Sequence, residues 1–184
     1  VCSSDLRQTH QALDALAGWL TNAVLQKWLS KYHLENLQPK TIGVVMAGNI
    51  PAVGFHDFLC VLISGHQLLA KVSSQDDVLI PAMARELIRM DERWKDKIRM
   101  EERIGSCDAV IATGSNNSAR YFEYYFRDRP LLLRRSRSSM AILDGTETVE
   151  ELTSLGEDIF SYYGLGCRNV SRVLLPQTFD LDRL

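Results

Sequence analysis

The spacing of apolar residues changes several times along the chain, and these changes predict alternating helices and strands. Residues 6–20 carry apolar side chains at helical spacing, and a second helical pattern covers residues 25–29. Residues 41–47 form a continuous apolar run with β-branched members, which is typical of a strand buried on both faces. The equally apolar residues 53–63 are too many for an ordinary strand, so we expect a buried helix there.

The same alternation continues to the end of the chain. Gly65 ends the buried helix, and the charge-rich residues 91–103 predict a solvated helix end and surface loop. Such alternation predicts an α/β fold, a Rossmann-like and mainly parallel sheet with helices on both faces. The further predicted elements are strands at 67–71, 108–112 and 140–143, helices at 78–90, 118–126 and 149–163, and an apparent strand shortly before residue 180.

Composition narrows the class of protein and its surroundings. The 184 residues are 46% apolar, enough for a sizeable core, and the formal net charge of -2 gives no reason to expect nucleic acid or an anionic membrane as a partner. No apolar run approaches the roughly 20 residues of a membrane span. Four cysteines, Cys2, Cys60, Cys107 and Cys167, form no C-x-x-C pair, so we expect reduced thiols, a cytoplasmic location and no metal site.

Cys167 is the first candidate for chemistry. It lies between glycines and an arginine in the segment Gly-Leu-Gly-Cys-Arg-Asn, residues 164–169, where little side-chain bulk surrounds the thiol. A nearby cation lowers a thiol pKa, so the segment predicts an exposed, activated nucleophile. The alternative is a small, inert, buried cysteine. Cys60 lies in the predicted buried helix and is expected to belong to the core, while Cys2 and Cys107 lack surroundings comparable to those of Cys167.

Asn49 is the second candidate. It follows the predicted strand 41–47, at a carboxyl end where open α/β sheets bind ligands. Its amide either holds a turn together or donates a hydrogen bond to a developing oxyanion beside the backbone N–H of Cys167. The sequence leaves both possibilities open.

Two other strand ends carry groups that suit a nucleotide. Thr113, Gly114 and Ser115 lead from a strand into a helix, where N–H groups and a hydroxyl suit a pyrophosphate or simply cap the helix. After residues 67–71, Lys71 is either a surface lysine or reaches a ribose or adenosine phosphate, with the hydroxyls of Ser73 and Ser74 as donors.

Other features of the sequence qualify the nucleotide prediction. No G-x-G-x-x-G motif is present. Residues 72–75 contain no carboxylate to bind free ribose hydroxyls, which favours NADPH over NADH, although NADH remains possible. The basic residues 134–137 predict a solvated turn, with a place near a phosphate-bearing ligand as the alternative.

Taken in order, these segments resemble the aldehyde dehydrogenase superfamily. The segments are residues 48–51, 71–74, 113–115 and 164–167. More closely, residues 47–71, 112–126 and 159–173 are similar to the acyl-CoA reductase family that includes the fatty-acid reductase of bacterial luminescence.

The resemblance implies a role for each candidate. Cys167 matches the catalytic nucleophile and Asn49 the oxyanion donor. Lys71 matches the adenosine-side lysine and Gly114-Ser115 the pyrophosphate turn. Hydrolytic members carry a glutamate in the segment that corresponds to residues 133–138, which contains no acid here. The implied reaction is NADPH-dependent reduction of an acyl-CoA thioester to an aldehyde through an acyl-enzyme.

The resemblance also divides the chain into two parts. Residues 1–134 are expected to form a dinucleotide-binding domain with entry helices, and residues 135–184 the start of an incomplete catalytic domain. The chain begins with Val1 rather than Met, so we expect part of a longer protein that forms a homo-oligomer at full length.

Two alternatives stay open. One is a nonenzymatic nucleotide-binding or interaction module with an inert cysteine. The other is a related reductase that acts on a different activated acyl group.

Overall fold

The computed structural model describes residues 6–35 and 37–183, so the predictions for Cys2 and the chain ends lie outside the described residues. The chain divides into two compact units, residues 1–135 and residues 136–184. What each unit does stays a prediction.

The first unit is built around a sheet of five parallel strands in the order β3-β2-β1-β4-β5. This arrangement confirms the predicted α/β fold. Its elements are α1 (Leu6–Trp19), α2 (Asn22–Leu29), β1 (Thr41–Val45), α3 (Phe55–Ile63), β2 (Gln67–Lys71), α4 (Leu79–Met90), β3 (Ile98–Met100), β4 (Ala109–Thr113), α5 (Asn116–Tyr125) and β5 (Leu131–Arg134).

Successive side chains of the central strands enter two separate apolar clusters, which is the reason for their continuous apolar sequence. Val44 and Leu68 pack with residues of α3 and α4 on one face. Val45 and Val110 pack with Phe122 of α5 on the other face. Helices therefore cover both faces of the sheet, as predicted.

The helices α1 and α2 pack outside this core. Leu16 contacts the cluster on the α3 side, and the rings of Trp19 and Trp28 lie 6.2 and 6.4 Å from the His56 ring of α3. No helix in the described part of the chain is long and apolar enough to span a bilayer.

The second unit contains a smaller, two-stranded parallel sheet. Strands β6 (Ser139–Ile142) and β7 (Val170–Leu174) pair in parallel, and α6 (Val149–Phe160) connects them. The Thr148 hydroxyl accepts the Glu151 N–H at the start of α6, while the Glu151 carboxylate accepts the Thr148 N–H. This reciprocal capping sets where the helix begins.

Three sequence predictions were wrong in detail. Residues 91–103 are not only a helix end and loop, because they contain a short 3-10 helix and β3. Residues 131–134 form β5, for which no strand was predicted. The helix predicted at 149–163 ends at Phe160, because Tyr162 and Tyr163 have positive φ angles that an α-helix does not allow.

Candidate active site

The carboxyl ends of three neighbouring strands lie at one edge of the large sheet. β1 lies between β2 and β4, and the register pairs Val45 with Lys71 on one side and with Ala112 on the other. β2 and β3 follow on one side of β1, and β4 and β5 on the other side. At such a reversal of strand order, a crevice opens outside the carboxyl ends of the strands. The loops after β1, β2 and β4 carry Asn49 and the predicted cofactor residues, and they leave the sheet side by side.

The loops after β1 and β2 are in close contact at Gly48. A Cβ atom at this buried glycine would lie 2.6 Å from Cβ and 2.7 Å from Oγ of Ser73. Only glycine allows the two loops to approach this closely. Asn49 follows directly and is half-buried, so its position depends on the packing between these loops.

The residues at the end of β2 differ in whether their side chains already form hydrogen bonds or salt bridges within the protein. Lys71 is half-buried and forms no salt bridge with any described residue. The Ser73 hydroxyl accepts the N–H of Gln75 at 3.2 Å, and Ser74 is exposed. The ammonium group of Lys71 and the hydroxyl of Ser74 therefore remain able to bind an external ligand.

At the end of β4, the helix-cap alternative for Ser115 is observed. Its Oγ accepts the N–H of Ser118 at 3.2 Å and caps α5. The preceding Gly114 allows close packing of α5, because a Cβ there would lie 2.9 Å from Cε2 of Phe122. In the described structure the N–H groups of Asn116 and Asn117 donate to no protein acceptor, so the first turn retains donors suited to an anion.

Asp76 is a buried carboxylate that the sequence analysis did not single out. It directly follows residues 72–75, the segment without a carboxylate, and it is only 5% exposed. Its Oδ2 accepts the N–H of Ala52 at 2.7 Å, which joins the loop after β2 to the loop after β1. Burial raises the pKa of the Asp76 carboxyl, and hydrogen bonds from the N–H groups of Ala52 and Leu79 oppose this rise.

The predicted solvated turn is confirmed for residues 135–137, which are exposed and lie outside helices and strands, but not for Arg134. Arg134 is the last residue of β5, and its guanidinium forms an ion pair with Asp57, a 6% exposed residue in the first turn of α3. Arg135 forms an ion pair with Glu123 of α5. Both guanidinium groups therefore bind protein carboxylates and help to connect β5 with the helices.

Cys167 lies in the second unit, on a turn between a 3-10 helix (Ser161–Gly164) and β7. It is exposed, which agrees with the exposure expected of a nucleophile. The predicted pairing with Asn49 of the first unit stays a prediction.

The turn of Cys167 is held by Asn169, whose importance was not apparent from the sequence. Its side-chain oxygen accepts the N–H of Gly166 at 2.7 Å, and its amide donates to the carbonyl oxygens of Asp158 and Ser161 at 2.8 and 2.9 Å. One side chain thus joins the Cys167 turn to the end of α6.

Cys60 and Cys107 are less accessible than Cys167, and His66 has a protein partner. Cys60 and Cys107 are half-buried. Burial raises the pKa of the Cys60 thiol, the charge of Asp57 adds to this rise, and Arg134 opposes it. His66 Nδ1 accepts the N–H of Lys40 at 3.2 Å.

An open apolar groove of about 480 Å³ lies away from the candidate site. It is lined by Ile42 of β1, Cys60 of α3 and Leu132 of β5, near the amino ends of β1 and β5. The groove is therefore at the opposite end of the sheet from Asn49 and Lys71.

Comparison with known protein families identifies the chain. Residues 16–180 match the model of the family described as acyl-CoA reductase (LuxC). The chain belongs to the acyl-CoA reductase (LuxC) family. This match confirms the resemblance found from the sequence segments. No curated protein sequence matches the chain.

Solved structures with the same fold are aldehyde dehydrogenases and related proteins. The glyceraldehyde-3-phosphate dehydrogenase GapN of Methanocaldococcus jannaschii, in complex with NADP, has a TM-score of 0.67 at 13% identity over 87% of this chain and 41% of that chain. Proline utilization A of Corynebacterium freiburgense has a TM-score of 0.67 at 14% identity over 82% and 18%. An NAD+ complex of an aldehyde dehydrogenase from Bacillus cereus has a TM-score of 0.58 at 17% identity over 74% and 31%.

This acyl-CoA reductase (LuxC) family member therefore spans less than half the length of those structures. At such low identity the similarity shows the fold alone. The roles of Asn49, Lys71, Gly114 and Cys167 remain predictions.

Proposed function

We propose that the chain carries the cofactor-binding part and the first catalytic elements of an enzyme that reduces an acyl-CoA thioester to an aldehyde with NADPH. The observation that carries this proposal is the family match over residues 16–180. We further propose that the full-length enzyme is cytoplasmic and forms a homo-oligomer.

The residues at the carboxyl edge of the sheet fit a dinucleotide. Lys71 has no carboxylate partner among the described residues and supplies a positive charge for a phosphate of the adenosine side. Ser73 and Ser74 supply hydroxyls next to it. Thr113 supplies a hydroxyl and the first turn of α5 supplies N–H donors for the pyrophosphate, while the N–H of Gly114 donates to the Arg134 carbonyl and the glycine adds no side chain at this turn.

The surroundings of Ser73 and Ser74 support NADPH over NADH. No carboxylate lies at residues 72–75, and the nearby Asp76 is buried with its Oδ2 bound to Ala52. A carboxylate beside the ribose would bind free hydroxyls and repel a 2′-phosphate, so its absence from this segment leaves room for the phosphate.

In the proposed reaction, Cys167 forms the bond to substrate. Its thiolate attacks the thioester carbonyl carbon, and the new carbon–sulfur bond forms as the carbonyl electrons move to oxygen. The amide of Asn49 and the N–H of Cys167 donate to this oxyanion. The carbonyl then re-forms, the bond to the CoA sulfur breaks, and the departing thiolate takes a proton from water.

The chemistry that NADPH supplies when bound is a hydride for the acyl carbon. Asn49 again stabilises the oxygen as it gains charge. The Cys167 sulfur is finally the leaving group, so the aldehyde is released and the thiolate is regenerated. No step requires a base that activates water, which agrees with the absence of an acid from residues 133–138.

The proposal is tested by trapping the acyl-enzyme. The full-length protein is mixed with an acyl-CoA without NADPH, and the modified peptide is identified by mass spectrometry. We expect acylation at Cys167, none in Cys167→Ser, and NADPH binding that is similar in both proteins. Acylation of Cys60 or Cys107 in place of Cys167, or no acylation of the parent, would reject the proposal.

Lys71→Ala provides a second measurement in the same protein. We expect it to weaken NADPH binding about tenfold or more through loss of a charge-assisted contact, with acylation of Cys167 little changed. Equal NADPH affinity in Lys71→Ala and the parent would remove Lys71 from the cofactor site.

A further inference from the structure

The loop that carries Asn49 is attached to the loop after β2 at two points. At Gly48 the backbone approaches Ser73 so closely that an added Cβ would lie 2.6 Å from the serine Cβ and 3.0 Å from the backbone nitrogen of Asp76. At Ala52 the N–H donates to Asp76 Oδ2 at 2.7 Å. Asn49 lies between these two attachments.

The backbone at Ala52 shows that the second attachment constrains the loop. Ala52 has a φ of 51°, in the left-handed region that residues with a Cβ atom seldom adopt. Such a conformation persists where surrounding contacts hold it. Ala52 is 3% exposed and its N–H is bound by a carboxylate, so the Asp76 hydrogen bond is one of the contacts that hold this turn.

The chemistry of Asp76 indicates a specific role rather than general packing. Burial of a carboxylate is unfavourable and raises its pKa, as it does here. An apolar residue of similar size would avoid that penalty. Only an acceptor satisfies the buried N–H of Ala52 and so maintains the turn next to Asn49.

We propose that Asp76 is a positioning residue that binds the Asn49 loop to the loop of Lys71, Ser73 and Ser74, so that oxyanion donor and cofactor residues are held as one rigid assembly. This inference rests on the proposed function, because it assigns Asp76 an effect on the reaction of Cys167 through Asn49. It adds a residue that touches neither substrate nor cofactor.

The test compares three variants of the full-length enzyme: Asp76→Ala, Asp76→Asn and the control Asp77→Ala, which removes the adjacent exposed carboxylate. The readouts are the single-turnover rate of Cys167 acylation by an acyl-CoA, the Kd for NADPH, and the melting temperature. Asp76→Ala is expected to slow acylation about 10- to 100-fold, as small displacements of a catalytic group do, and to weaken NADPH binding.

The acylation rate of the conservative variant Asp76→Asn distinguishes a positioning role of Asp76 from a general effect on stability. Asp76→Asn retains an oxygen that accepts the Ala52 N–H, so its acylation rate should recover most of the loss seen in Asp76→Ala. Asp77→Ala should behave like the parent. An Asp76→Asn enzyme no faster than Asp76→Ala would overturn the inference.

A further variant, Gly48→Ala, disturbs the same loop from its other attachment. Its added Cβ must displace Ser73, so acylation should again slow even though Asp76 is intact. If Asp76→Ala does not fold, Gly48→Ala still tests whether the attachment of the Asn49 loop controls the acylation rate. Parental acylation rates in a folded Gly48→Ala or Asp76→Ala enzyme would overturn the inference.

Failure of the inference differs from failure of the proposed function. If the parent acylates Cys167 and the variants acylate equally fast, only the role of Asp76 is wrong. If the parent does not acylate Cys167 at all, the proposed function is wrong, and the inference falls with it.

Discussion

At the scale of single residues, the described thiols differ in exposure. Cys167 is exposed on a turn, whereas Cys60 is half-buried on α3. Burial and the charge of Asp57 both raise the pKa of the Cys60 thiol. Because the thiolate is the reactive form, these surroundings make Cys60 a poor nucleophile at neutral pH.

We therefore predict selective alkylation of Cys167. With limiting iodoacetamide at neutral pH, peptide mass spectrometry should find Cys167 modified well before Cys60. Modification of Cys60 should increase with pH only at values above those of an ordinary thiol. The variant Cys167→Ser should lose the fast reaction, and faster labelling of Cys60 than of Cys167 would contradict the prediction.

Asp76 carries a pH dependence whose sign follows from its raised pKa. A carboxyl with a higher pKa in the folded protein binds its proton more tightly there than in the unfolded chain. Binding of this proton therefore adds to the free energy of unfolding at low pH. This stabilisation is lost as the pH rises from the ordinary carboxyl pKa of about 4 through the raised pKa of Asp76.

Asp76→Asn cannot titrate, so we predict that its free energy of unfolding falls less steeply over this pH range than that of the parent. Urea unfolding at several pH values measures the difference. The carboxylates with lowered pKa values, such as Glu86 and Asp91, are present in both proteins, so their contributions cancel. Parallel stability curves for the two proteins would count against a raised pKa at Asp76.

At the scale of elements, α5 depends on a glycine for its packing against the sheet. A Cβ at Gly114 would lie 2.9 Å from Phe122 and 3.0 Å from Cβ of Ser118. Both neighbours belong to α5, and Phe122 packs into the apolar cluster beneath it. The helix would therefore have to move away from β4 to accommodate a larger residue.

We predict that Gly114→Ala destabilises the protein by about 1–3 kcal/mol through overpacking. The matched control is Gly18→Ala, because Gly18 lies in α1 and a Cβ there would meet no atom within 4 Å. That variant should be neutral or stabilising by up to about 1 kcal/mol. Urea unfolding compares them, and an equal effect of both substitutions would argue against the proposed packing.

Some strands of the sheet could be predicted from the sequence alone, and others could not. The buried strands β1, β2 and β4 were predictable because burial on both faces requires continuous apolar runs. β3 was missed because it has three residues, and its exposed Arg99 lies within a charged segment. β5 was missed because a run of only three leucines after Pro130 fits several structures.

For the candidate site, the arrangement of strand ends was predictable and the hydrogen bonds that support it were not. Parallel pairing in register brings Lys71 beside the end of β1, whatever the side chains nearby. In contrast, the Ala52 N–H bound by Asp76 lies 24 positions away, and the Asp158 carbonyl bound by Asn169 lies 11 positions away, distances that no local pattern reveals. The Arg134–Asp57 ion pair likewise depends on long-range folding.

At the scale of the whole molecule, the two compact units meet in the sequence at residues 135–138, which are exposed and belong to neither helix nor strand. All predicted cofactor residues precede this segment, and Cys167 follows it. The chain therefore allows a direct test of whether cofactor binding is a property of the first unit alone.

We predict that limited trypsin digestion cuts after Arg137, since cleavage favours exposed segments outside regular structure. The fragment ending at Arg137 should bind NADPH as tightly as the uncut chain. Fluorescence titration of both samples measures this, with the fragment that begins at residue 138 as the control without cofactor residues. Loss of NADPH binding on cleavage would show that the first unit is insufficient.

The contact between Gly48 and Ser73 limits how the proposed NADPH site could be redesigned to bind NADH. A bulkier side chain at position 73 would press on the Gly48 backbone and so shift the neighbouring Asn49. Ser74, by contrast, faces solvent. Under the proposed function, libraries that aim to change the cofactor preference from NADPH to NADH should keep Ser73 and randomise residue 74.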